Sequence, residues 1–68
     1  MTFDEAEREL VEIVARLEQG NVALEEAVKL WERGEDLYRI CRERLDAAQG
    51  QVDELARRVE QAKPPSDS

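Results

Sequence analysis

Sixty-eight residues allow one domain at most, and a chain that short buries a modest fraction of its surface, so packing against a partner is a common remedy. Charged residues make up 40% and aromatics 4%, the balance of a charged, helical, elongated protein. The net charge of −7, from 17 acids against 10 bases, argues against direct binding of nucleic acid or anionic membrane, whose phosphates attract Lys and Arg.

Thr2-Phe3-Asp4-Glu5 has the Thr-x-x-Glu form of a capping box, in which each side chain satisfies the other's free backbone N–H. Phe3, Ala6, Leu10, Ile13, Val14 and Leu17 then recur at steps of three and four, which predicts a first helix over about 3–18 with one apolar stripe. Such regular spacing favours structure over disorder despite the charge content. Gln19-Gly20-Asn21 follows, with Gly20 placed to take the left-handed conformation that ends a helix. A turn over 19–23 is short enough to fold the next helix back antiparallel.

The second helix is predicted over about 24–62, with Glu25 and Glu26 in its first turn, where the positive end of the helix dipole favours acids. Read in sevens, Leu24, Trp31, Tyr38, Leu45, Val52 and Val59 fill an a series. Ala27, Gly34, Cys41, Ala48, Leu55 and Ala62 fill the d series, so every site is apolar or glycine. Leu30, Leu37 and Ile40 widen this seam in its first half. Gly50 falls at the outermost heptad position, where it weakens the helix and leaves open whether it bends. The segment Lys63-Pro64-Pro65-Ser66-Asp67-Ser68 cannot continue a helix, and 63–68 is read as a disordered tail.

The predicted fold is therefore all-α: an antiparallel two-helix hairpin, 1–62, with a short first helix and a long, coiled-coil-like second. At about 1.5 Å per residue the first helix is too short to cover the second beyond about Tyr38 or Cys41. Phe3, Leu10, Ile13, Leu17, Leu24, Ala27, Trp31, Gly34 and Tyr38 are expected to pack within the hairpin. Leu30, Leu37, Ile40, Cys41, Leu45, Ala48, Val52, Leu55 and Val59 are expected to face a partner, the last of them along an open half of the seam.

Chemistry is sparse. There is no His, which removes the commonest general base and metal ligand. Cys41, the single cysteine, can form no internal disulfide and fits a reducing cytoplasm; at a d site it reads as core, not nucleophile. Acid pairs such as Glu5 with Glu9 and Glu32 with Asp36 read as a solvated face, and Trp31 with Tyr38 as core rather than a base-stacking platform. Arg8, Arg16, Lys29, Arg39, Arg57 and Arg58 each follow an acid by four residues, the favourable order for helix-surface pairs. No catalytic site, metal or cofactor is expected. The acidic N-terminus lacks the features of a signal peptide and no apolar run reaches the length of a membrane span, so a soluble cytoplasmic protein is predicted.

Leu10-Val11-Glu12-Ile13-Val14-Ala15-Arg16-Leu17-Glu18-Gln19-Gly20, Leu24-Glu25-Glu26-Ala27-Val28, Trp31-Glu32-Arg33-Gly34 and Cys41 with Leu45-Asp46-Ala47-Ala48 together resemble the small subunit of bacterial exodeoxyribonuclease VII. The resemblance runs from about Phe3 to Val52. Departures are Val11 for the usual Glu, Trp31 for Tyr or Phe, Ala23 for a capping residue, and Gln49-Gly50 before the helix continues. The resemblance implies a non-catalytic subunit that binds a large nuclease subunit and supports hydrolysis of single-stranded DNA from both ends to nucleotides or short oligonucleotides. It supplies no functional residues to transfer. Self-association through the seam is expected beside large-subunit binding. The competing readings are a free-standing acidic helical adaptor and a DNA-mimic inhibitor.

Overall fold

The computed structural model of the chain describes residues 1–43 and 49–64. It is all-helical among these residues: α1 spans Phe3–Gln19, α2 Leu24–Arg42 and α3 Gln49–Gln61. The seam positions Leu45 and Ala48, and the tail over 65–68, lie outside the described residues.

The capping box closes α1 at its start. Glu5 N donates to Thr2 Oγ1 at 3.2 Å, and Thr2 N donates to Glu5 Oε1 at 3.1 Å. Those two bonds hold the Glu5 carboxyl below its ordinary range, the backbone one most strongly. Gly20 ends the helix in the left-handed region, at φ 75°, where any side chain would be strained even though the space around it is open. Ala23 begins α2 without a side-chain cap. At the far end, Ala62 and Lys63 close α3 with bonds back to Arg58, Val59 and Glu60, and the following Pro64 is buried.

The pairing of numbers gives the topology. Glu9 meets Arg33 and Arg16 meets Glu26, so α1 and α2 are antiparallel. Tyr38 meets Asp53 and Gly34 meets Val59, so α3 runs back along α2. Glu18 meets Arg58, which sets α3 parallel to α1. The result is an up-down-up bundle of three helices with extents of 34 × 20 × 17 Å.

Its core draws on all three. Ala6, Leu10, Ile13, Val14 and Leu17 of α1, Leu37 and Cys41 of α2, and Val52, Leu55 and Val59 of α3 are buried together. Phe3, Ala27, Leu30, Trp31, Tyr38, Ile40 and Ala62 pack around them.

This corrects the two-helix hairpin. A single helix over 24–62 would be nearly 60 Å long, which the longest extent of 34 Å does not accommodate. Instead α2 stops at Arg42 and α3 doubles back over the hairpin. The physical reason is the seam itself. Burying Val52, Leu55 and Val59 is worth roughly 1.5–3 kcal/mol each as an upper figure. Interrupting a helix forgoes about four backbone bonds at a net 0.5–1.5 kcal/mol apiece. Burial wins, and α3 covers the half of the seam that the sequence leaves open. Lys63, where the predicted tail begins, lies over the Trp31 ring at 5.1 Å.

Candidate interaction surface

The residues expected inside the hairpin divide into three groups. Leu10, Ile13, Leu17 and Gly34 are buried, while Phe3, Ala27, Trp31 and Tyr38 are half-buried at the margin of the core. Leu24 is the exception, at 56% exposure. As the first residue of α2 it lies past Leu17, the last buried residue of α1, and finds no cover there.

The residues expected to face a partner are placed differently. Leu37, Cys41 and Val52 are 0% exposed, Val59 1% and Leu55 8%. On the compact chain they are drawn into the core, Leu55 alone reaching an open cleft, because α3 has turned its a and d sites onto α1 and α2. Leu30 and Ile40 are half-buried along the edge of the core and remain partly accessible.

Three polar arrangements fasten the bundle, and local spacing reveals none of them. Arg33 grips Glu9 with two bonds, Nε to Oε2 at 2.9 Å and Nη2 to Oε1 at 3.1 Å. Arg58 grips Glu18 in the same forked way, at 2.8 and 2.5 Å, and so ties α3 to the end of α1. Tyr38 donates to Asp53 at 3.3 Å between α2 and α3. Each guanidinium holds its partner's carboxyl below the ordinary range, and each carboxylate raises its guanidinium further. Other partners join the expected acids four residues back: Arg16 faces Glu26, Arg39 takes Asp36, Arg57 takes Glu54 and Arg58 takes Glu18, while Glu35 and Glu54 still act on Arg39 and Arg58 through their charge.

Burial pushes the Glu35 carboxyl up, and Glu60 of α3 beside it adds to the shift. Burial likewise pushes up the Cys41 thiol, with Glu7 contributing, so the thiolate a nucleophile needs is disfavoured. No group of three or more His, Cys, Asp or Glu side chains among the described residues is placed to hold a metal ion. The surface instead offers apolar area. An open cleft of about 420 Å³ lies between α1 and α3, lined by Glu7, Val11, Gly50, Gln51, Glu54 and Leu55. A second apolar strip on the outside of α2 runs over Leu24, Val28 and the stems of Lys29 and Glu32.

Residues 3–54 match the sequence profile described as Exonuclease VII small subunit. The chain belongs to the exonuclease VII small-subunit family. Relatives named exodeoxyribonuclease 7 small subunit include one from Streptomyces coelicolor, 51% identical over 75% of this chain and 58% of its own length. One from Acidothermus cellulolyticus is 47% identical over 78% of this chain and 55% of its own. A third, from Cutibacterium acnes, is 44% identical over 94% and 82% respectively. The chain thus spans under two thirds of the length of the first two relatives. No solved structure matches the chain. The relatives are named as subunits of an exodeoxyribonuclease. The family match ends inside α3, so Arg58, Val59 and the turn at Lys63 lie beyond the matched segment. No helix among the described residues is long and apolar enough to cross a membrane.

Proposed function

We propose that this chain is the non-catalytic small subunit of a bacterial exodeoxyribonuclease VII. It binds the large nuclease subunit and supports hydrolysis of single-stranded DNA from both ends to nucleotides or short oligonucleotides, in the cytoplasm. The observation that carries the reading is the family match across residues 3–54, which takes in all of the α1–α2 hairpin. The residue chemistry is consistent with it, since the chain has no His and its one cysteine is buried. A net charge of −7 sets it against DNA phosphates, leaving contact with the strand to the large subunit.

The docking surface follows from what the compact chain leaves accessible. Leu30 and Ile40 at the edge of the core, with Val11, Leu24 and Val28, supply apolar area to the large subunit. Leu37, Cys41, Val52, Leu55 and Val59 meet a partner only when α3 leaves its seat. The seam also supports association of the chain with copies of itself.

Reconstitution tests the reading. The purified chain added to its separately expressed cognate large subunit should restore release of acid-soluble nucleotides from single-stranded DNA, with no such release from the chain alone. A large subunit equally active without the chain, and failing to bind it, overturns the proposal in favour of a free-standing adaptor. Nuclease activity in the isolated chain overturns its non-catalytic role.

A further inference from the structure

The chain has three glycines, and two of them are explained from within. Gly20 takes a positive φ, and Gly34 makes room for the methyls of Val59. Gly50 has neither reason. It sits in the first turn of α3 without a positive φ, and a Cβ built on it would meet nothing within 4 Å. Glycine is among the least favourable residues in a helix, so α3 would form more readily with a side chain there. The remaining physical use of a glycine is to let something from outside come close to the backbone.

Gly50 lines the open cleft of about 420 Å³ between α1 and α3. Val11, 48% exposed, and Leu55 give that cleft its apolar surface. The charged residues of the lining are both acids, Glu7 and Glu54. Arg57 takes Glu54, but Glu7 has no ion-pair partner among the described residues. Its charge is felt as far as Cys41, whose thiol it helps to raise. Because α1 and α3 run parallel, the cleft lies along both axes and suits a further helix, as in a four-helix bundle.

We propose that the α1–α3 cleft seats a basic amphipathic helix of the large subunit. An apolar side chain of that helix lies between Val11 and Leu55, its backbone approaches Gly50, and a Lys or Arg pairs with Glu7. The inference rests on the large-subunit binding proposed above. Charge decides against a second copy as the occupant, since a copy would bring a net charge of −7 to a cleft whose charged lining is acidic.

Full chains carrying Gly50→Leu or Glu7→Gln, titrated onto the cognate large subunit beside the unmodified chain, test the proposal. Leucine at position 50 fills the cleft and favours the helix. The variant should therefore melt no lower than the unmodified chain yet bind about tenfold more weakly, the scale of a well-placed interface residue. Glu7→Gln keeps the shape and removes the charge. It should bind several-fold more weakly at low salt, with the difference shrinking as salt screens the pair. Unmodified affinity in both variants overturns the cleft as the docking site and leaves large-subunit binding standing. An unmodified chain that does not bind overturns both. Should Gly50→Leu melt lower, Glu7→Gln decides alone, and binding unchanged at every salt concentration overturns the basic partner. A dimer of the isolated chain that Gly50→Leu abolishes, read by light scattering, overturns the choice of occupant in favour of a second copy.

Discussion

The α1–α2 hairpin and α3 solve the same burial problem by different means. The hairpin is fixed locally: a capping box starts it, a left-handed glycine turns it, and Leu10, Ile13, Val14 and Leu17 form a continuous stripe against α2. α3 leans on the rest of the bundle instead. Thirteen residues with Gly50 in the first turn are marginal as an isolated helix, and the seat on the hairpin is what defines it. The difference teaches that one part of this molecule specifies its own conformation while the other specifies only a face.

Four substitutions bear on that contrast. Leu10→Ala, in the fully buried stripe of α1, should cost about 2–5 kcal/mol and lower the urea midpoint for the whole chain, α3 included. A loss confined to α1 would show that the helices do not share a core. Gly34→Val should act mainly on α3, because the added methyls meet Val59; overpacking of this kind costs about 1–3 kcal/mol. Amide exchange should quicken across α3 by more than across α1, and equal acceleration in both would break the comparison.

Glu18→Gln comes next, with a smaller effect on an exposed pair. The Glu18 carboxyl is lowered in the folded chain by Arg58, so its contribution is complete above its ordinary value of 4.5 and is lost as pH falls below it. The melting temperature of the variant should therefore trail that of the unmodified chain at neutral pH and rejoin it in acid. Glu35→Gln should have the smallest effect and the opposite sign. Its carboxyl is raised by burial and by Glu60, so the folded state gains from the protonated form at low pH and loses that gain as pH rises. At pH 7 the variant should be more stable by on the order of 0.3 kcal/mol, the scale of a like-charge pair on a helix surface. That advantage should vanish in acid.

The sequence makes the helical class, the cap at Thr2, the turn at Gly20 and most of the stripe of α1 readable, because each is a property of neighbours in the chain. Heptad phase also identifies the buried face of α3 down to Val52, Leu55 and Val59. What periodicity does not carry is direction. A seam continuing straight ahead and a seam doubled back onto itself use the same a and d sites, so the reversal after Arg42 leaves no mark in the pattern. The forks of Glu9 with Arg33 and Glu18 with Arg58 were hidden for a related reason, since each joins residues far apart in the chain. Arg58 has an acid four positions earlier, and only the packed bundle reveals that Glu18 takes it.

Trp31 is the sole tryptophan, its indole N–H is buried without a hydrogen-bond partner among the described residues, and the Lys63 ammonium lies above its ring. The molecule thus carries its own optical gauge of whether the groove is filled. Emission excited near the indole band should move to longer wavelength when α3 lifts away and water reaches the ring. Fluorescence thus tells an empty seat from a filled one without a label.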